Sequence, residues 1–174
     1  MSTVWYITAV SLAERPGCAE LVQITAQDNE LPAPAVLLAA IIHGDDTSPW
    51  TADELVQANL TLSRMDDAIA DTQALIDGYL RQRGHKLPLA TRPPQLTTWA
   101  RAIVRYQLNR NRVGDAGTDP VVRDYRDALA FLQKIADGKY SLGVEDPLPA
   151  GGGAPQVTGP GRTFDMHTLR HFGK

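Results

Sequence analysis

Two of the four histidines, His167 and His171, stand four residues apart, which would place them on one face of a helix at the spacing of metal ligands. The pair lacks the glutamate of an H-E-x-x-H motif, and no cysteine is near it. Metal binding would need at least one further ligand from elsewhere in the chain. We therefore expect no metal site and no cofactor.

Nucleophiles and phosphate-binding loops are equally poorly supported. The serines occur in no nucleophile-elbow pattern, and the single cysteine, Cys18, is predicted to be a small core residue that excludes an internal disulfide. The glycine run at 151–153 has no lysine and no strand-to-helix setting, so it does not predict a phosphate loop. Together these features argue against an enzyme.

Paired carboxylates occur twice, at Asp45-Asp46 and Asp66-Asp67. Neighbouring residues on a helix point roughly 100° apart, so the second pair is more simply a solvated or partner-contacting face than an acid and base pair. The first pair falls in a turn, where aspartate is common because its side chain bonds to local backbone groups.

Arginines offer a stronger candidate for binding. Arg101, Arg105 and Arg112 recur at spacings of four and seven residues, so they can line one face of a helix. Such a row could meet DNA phosphate. The net charge of −3 and the lack of a clustered aromatic and basic platform favour contacts with protein instead.

Charge is distributed unevenly along the chain. Residues 26–77 contain ten acidic residues and one arginine, whereas residues 78–113 contain eight basic residues and no acidic one. These blocks could pair within one subunit. Alternatively, the acidic face of one subunit could meet the basic face of the next, a head-to-tail contact that can close into a ring.

Helical patterns dominate the chain and predict an all-α fold, a small helical bundle with one long helix and an extended C-terminal arm. The long helix is expected over 52–83, about 45 Å at ~1.5 Å per residue, with Thr51 and Glu54 as its capping box. Part of its apolar stripe could be covered by a neighbouring subunit. Shorter helices are expected over 9–14, 18–25, 94 to about 112, and 120 to about 137, and the run 35–42 favours helix over strand.

The C-terminal residues 147–174 differ in composition from the helical part of the chain. Nine of the fifteen residues from 147 to 161 are glycine or proline, which predicts a linker without a core of its own. Large apolar residues follow it in 162–174. We interpret this end as a docking arm, with contacts expected from Arg162, Phe164, Leu169 and Phe172.

No run of eighteen apolar residues is present, and the first residues lack a basic segment leading into an apolar one. We therefore expect neither a membrane span nor a secretory signal, and synthesis in the cytoplasm without export.

Five short motifs occur in a distinctive order: IDGYL at 76–80, LPL at 87–89, two prolines at 93–94, RYQL at 105–108 and GKYSLG at 138–143. In this order and spacing, the chain resembles small proteins encoded in the structural gene blocks of Mu-like phages and prophages. The resemblance is good from about residue 66 to 143. Weaker similarity covers the first 25 residues, and residues 26–50 are longer than the usual pattern.

This resemblance implies a head-to-tail joining protein, an adaptor that forms a ring under the portal of a tailed phage. The implied organisation is a helical adaptor domain over 1–146 with an insertion at about 26–50, the linker 147–161 and the arm 162–174. Implied partners are the portal protein, a downstream neck or tail-terminator protein, and further copies of the chain, as a dodecamer by analogy. Its place would be the neck of the virion, after assembly in the host cytoplasm.

In such a ring, DNA would pass through without sequence-specific binding, and Arg101, Arg105 and Arg112 would contact the portal or a neighbouring subunit. The alternative, from another class, is a small helical DNA-binding or regulatory protein that uses the basic segment 78–113. Phosphate contacts release counterions, so that alternative predicts a steep loss of DNA affinity with salt.

Overall fold

The computed structural model describes residues 5–27, 30–109 and 117–143, and in these ranges it contains helices and no strands. The all-α prediction is therefore confirmed, as is the long helix with its bounds. The elements are α1 (Ala9–Leu12), a π-helical turn (Ala13–Gly17), α2 (Cys18–Thr25), α3 (Ala35–His43), α4 (Ala52–Arg83), α5 (Pro94–Asn109) and α6 (Pro120–Ala136).

Both ends of the long helix α4 have capping residues that satisfy backbone groups left without a partner inside the helix. The Thr51 hydroxyl accepts from the Glu54 amide, and the Glu54 carboxylate accepts from the Thr51 amide at 2.9 Å. At the other end, Gly84 adopts a left-handed conformation, with φ of 95°, that lets its amide reach the last carbonyls. Its 32 residues form one uninterrupted helix that the remaining elements pack against.

A kink separates α1 from α2. Thr8 and Ser11 cap α1 reciprocally, as the Thr8 position predicts. The helical region does not end outright at Pro16 and Gly17 but passes through the π-helical turn, in which Arg15 has extended backbone angles. Gly17 has φ of 106°, which favours glycine over other residues, and α2 restarts at the next residue. As a result, Arg15 is displayed on the surface beside α5.

The two C-terminal helices start as their prolines predict. Pro94 begins α5, and Asp119 caps α6 by accepting from the Val121 amide at 2.8 Å, with Pro120 in the first turn. Gly138 follows α6 with φ of 73°. The expected end of α5, near residue 112, lies outside the described residues, as does all of the predicted linker and arm.

The core forms where α4 meets the other helices. Helices α5 and α6 pack on each other and on α4, while α2 and α3 also contact α4. Each fully buried Leu, Ile or Met side chain contributes about 1.5–3 kcal/mol of transfer free energy. The largest fully buried apolar residues are Tyr6, Ile7, Leu12, Leu21, Leu37, Leu38, Met65, Ile76, Leu80, Leu96, Ile103 and Leu132.

The stripe predicted on α4 is largely covered by this one chain. Met65, Ile69 and Ile76 are buried, while Leu55, Leu62 and Tyr79 pack partly buried against the core. The run 35–42 belongs to this core too, because α3 contributes the fully buried Leu37 and Leu38. The residues that lengthen the chain here therefore take part in its packing.

Hydrogen bonds and an ion pair join the N-terminal segments to α4. The Tyr6 phenol donates to an Asp77 carboxylate oxygen at 2.6 Å, and burial together with this bond raises the pKa of Tyr6. The Arg64 guanidinium donates to the Thr25 carbonyl at 2.8 Å and to both carboxylate oxygens of Glu30, at 2.7 and 3.0 Å. Among the described residues, the helices are too short or too polar for any to cross a bilayer.

Candidate functional site

In the described part of the chain, no three His, Cys, Asp or Glu side chains are grouped so that they could hold a metal. His167 and His171 lie outside it. Cys18, predicted to be a core residue, is instead half-buried against the core, and burial raises the pKa of its thiol.

A surface cleft of about 340 Å³ lies between α5 and α6, beside the π-helical turn. On α6 the lining residues recur at the helical spacing of three, one and three, and on α5 four of the five lining residues do the same, with Trp99 next to the first of them. The lining residues are Thr98, Trp99, Arg101, Ala102 and Arg105 from α5, Asp124, Asp127, Ala128 and Phe131 from α6, and Arg15 from the turn.

Aromatic rings form the apolar part of the cleft. The Trp99 and Phe131 rings stack, with centroids 5.5 Å apart and planes 9° apart. Tyr140 meets both of them edge-on, at 6.0 Å from Trp99 and 5.7 Å from Phe131. The Lys134 ammonium lies 4.9 Å from the Phe131 centroid. Rings locked in this way offer a rigid surface that can receive another apolar side chain with little loss of entropy.

Arg101 supplies an unsatisfied donor on one side of the cleft. Its Nε is buried and has no hydrogen-bond partner among the described residues. Burial lowers the pKa of the Arg101 guanidinium, the nearby Arg15 charge lowers it further, and Glu14 acts in the opposite direction. Leaving a buried donor without a hydrogen bond is costly. This nitrogen has almost no accessible surface, so an added group would meet the rest of the partly exposed guanidinium rather than Nε itself.

Arg105, one turn further along α5, is already engaged. Its Nε donates to the Glu20 carboxylate on α2 at 2.8 Å, and its Nη2 donates to the same oxygen at 2.5 Å. Both side chains are roughly a third exposed, at 28% and 37%. This pair joins α5 to α2 and leaves Arg105 less able than Arg101 to bind an added group.

Acidic residues occupy the opposite side of the cleft. Asp124 and Asp127 are exposed on α6, and Asp124 lies 3.5 Å from its neighbour Arg123. The cleft thus has a basic wall, an acidic wall and aromatic rings. A ligand with a single charge would satisfy one wall and face repulsion from the other.

Of the residues predicted to make contacts, the structure places Arg101 and Arg105 in this cleft. Arg112, Arg162, Phe164, Leu169 and Phe172 lie outside the described residues, so no geometry bears on them. The sequence reasoning missed Arg15, Trp99, Phe131, Asp124 and Asp127 as cleft residues. The three-one-three spacing on α6, and on α5 apart from Trp99, is a signal for the two faces, but it cannot show that they meet.

Between the acidic and basic blocks, the described residues form the ion pair of Asp77 and Arg81, with 3.7 Å between carboxylate and guanidinium across one turn of α4. Arg81 remains 68% exposed there. The head-to-tail contact between subunits stays a prediction.

Exposed apolar side chains cluster in sequence near the starts of α3 and α4. Leu31 and Val36 are 85% and 70% exposed, and Val56 and Leu60, one turn apart on α4, are 56% and 41% exposed. Single exposed apolar residues are ordinary, but paired ones on a helix can contribute to a protein contact.

Comparison with known proteins gives a family match over most of the chain. The family model described as "Bacteriophage Mu, Gp36" matches residues 6–158. Mu-like prophage FluMu protein gp36 of Haemophilus influenzae is 39% identical over 88 residues, covering 51% of this chain and 59% of that protein. Gene product J of Escherichia phage Mu is 35% identical over 85 residues, covering 49% of this chain and 57% of that protein. The matched segments span less than two thirds of either relative.

Proposed function

The chain belongs to the bacteriophage Mu gp36 family, and on that premise we propose that it is a structural protein of the phage neck. In this role it joins the head to the tail as an adaptor ring between the portal and the next neck protein. The observation that carries the proposal is the family match over residues 6–158. The motif order from 76 to 143 points to the same role.

The described surface suits a protein that works through contacts. It displays an aromatic cleft with walls of opposite charge, an unsatisfied Arg101 donor and exposed apolar residues at the starts of α3 and α4. Repeated contacts in a ring would bury such side chains at roughly 25 cal/mol per Å² of apolar surface. The mechanism is geometric, since the ring matches the portal to the tail and surrounds a channel for DNA.

Quantitative mass spectrometry of purified phage particles tests this role. The chain should be present in a ratio near one to the portal protein, as expected for a neck ring of matching symmetry. A phage protein that is expressed but not packaged serves as the negative control. Absence of the chain from particles that contain portal and tail would overturn the proposal.

A second candidate, a DNA-binding or regulatory protein, is favoured by the exposed basic residues near the end of α4. Arg81, Lys86 and Arg92 are exposed there, although Arg92 donates to the Trp5 carbonyl at 3.1 Å. Fluorescence anisotropy with duplex DNA at rising salt separates the two candidates. Steep salt-dependent binding that Arg81→Gln with Lys86→Gln abolishes would favour the second.

A further inference from the structure

The chemistry of the cleft specifies what can fill it. Its aromatic surface, Trp99 and Phe131, takes an apolar or aromatic side chain. The basic wall offers the partly exposed guanidinium of Arg101 to an acidic group, and the acidic wall offers Asp124 and Asp127 to a basic group. A complete occupant therefore has a basic, an aromatic and an acidic residue within a few positions of one another.

The C-terminal end of this chain carries that combination. Residues 162–165 read Arg-Thr-Phe-Asp, so Arg162, Phe164 and Asp165 provide all three side chains within four residues. The later aromatic, Phe172, has a histidine before it and no acidic residue between it and the last residue, Lys174. Phe172 is therefore a matched control within the same segment.

The described chain ends close to the cleft. Gly143 is three residues beyond Tyr140, whose ring touches both Trp99 and Phe131. Eighteen residues, 144 to 161, then separate Gly143 from Arg162. Fully extended, a linker of that length covers about 60 Å, far more than a return to the cleft needs. Attachment to the same chain also gives the segment a high effective concentration at the cleft.

We propose that residues 162–165 bind the α5 and α6 cleft of their own chain, with Phe164 against Trp99 and Phe131, Asp165 on the Arg101 side and Arg162 on the Asp124 and Asp127 side. This contact does not depend on the phage role, because every group in it belongs to one chain. Oppositely charged walls fix the direction in which the segment lies.

Disulfide trapping in the full-length chain tests the contact. In a Cys18→Ala background, Thr98→Cys places a thiol on the cleft and Thr163→Cys places one in the segment. The control pair replaces Thr98→Cys by Ala130→Cys, on an exposed α6 position that does not line the cleft. We expect an intramolecular disulfide to form at least about tenfold faster in the cleft pair, independent of protein concentration. Equal rates in the two pairs, or dimers as the main product, would overturn the proposal.

Charge reversal then tests the orientation. Arg101→Glu in the cleft pair should reduce the rate to that of the control pair, and adding Asp165→Arg should restore it. Phe164→Ala should also remove the difference, whereas Phe172→Ala should leave it intact. If Phe164→Ala and Phe172→Ala behave alike, the segment is not recognised through Phe164. None of these outcomes changes the ratio of the chain to the portal, so the contact and the phage role fail separately.

Discussion

Arg101 and Arg105 lie one turn apart on the same face of α5, yet their surroundings differ. Arg105 meets Glu20 from α2 through two hydrogen bonds, whereas the Nε of Arg101 is buried with no partner in the described chain. Both residues are arginines, and both lie on the same helix. The difference comes from which element lies opposite, because α2 brings a carboxylate to Arg105 and the kink before α2 brings Arg15 to Arg101.

This contrast separates a structural arginine from one that is available for binding. A satisfied pair stabilises the arrangement of α2 on α5. The Nε of Arg101 forms no hydrogen bond in the described chain and so contributes none to that arrangement, while its partly exposed guanidinium lines the cleft, where it can meet an added acidic group. The inner face of α5, where Ile103 is fully buried, provides the reference for substitutions on this helix.

Ile103→Ala is expected to have the largest effect on stability. It removes a fully buried side chain and leaves a cavity, which costs about 2–5 kcal/mol in the free energy of unfolding. Urea denaturation followed by circular dichroism measures the loss. Gln95→Ala, at an exposed position of the same helix, is the control and should change stability by less than about 0.5 kcal/mol.

Glu30→Gln should have the next largest effect and should depend on pH. The Arg64 guanidinium lowers the pKa of Glu30 to about 2 from 4.5. A lowered carboxyl pKa contributes stability that is complete above 4.5 and disappears as the pH falls through about 2. The wild type should therefore exceed the variant in urea midpoint at neutral pH, and the gap should close near pH 2. If the difference in urea midpoint persisted near pH 2, the charge of Glu30 would not be the cause of the added stability.

Arg105→Met should destabilise the chain by about 0.2–1 kcal/mol, because the pair with Glu20 is partly exposed and is screened by solvent. Methionine keeps the apolar length of the side chain while removing the ion pair. If Arg105 acts through Glu20, Arg105→Met and Glu20→Gln together should cost less than the sum of the two single changes. The double-mutant cycle should show a positive coupling that decreases with added salt.

Arg101→Met in a Phe164→Ala background, where the proposed contact of residues 162–165 is removed, should have the smallest effect on stability, within about 0.5 kcal/mol, because its Nε has no partner in the described chain. Coupling to Glu20 distinguishes the two arginines, because Arg105→Met should show it in a double-mutant cycle and Arg101→Met should not. A loss for Arg101→Met as large as that for Arg105→Met would contradict the contrast and indicate that Arg101 has a structural role.

Much of the fold follows from local signals in the sequence. The Thr51 and Glu54 box and the glycine at 84 determine where α4 begins and ends, because free backbone groups at helix ends need partners. Asp119 and Pro120 similarly define the start of α6. Apolar spacing predicts the buried face of α4, and α5 and α6 each bury residues that recur in the same way on one side.

The kink at Arg15 and the different partners of Arg101 and Arg105 could not be predicted in this way. They depend on how α2 lies across α5, and no periodicity within either segment encodes that crossing. The same holds for the cleft, because Trp99 and Phe131 are far apart in the chain and stack only once α5 and α6 have packed. Local chemistry in the sequence thus determined which helices form and which faces they bury, whereas tertiary packing alone decided which arginine is satisfied and where an aromatic cleft remains open.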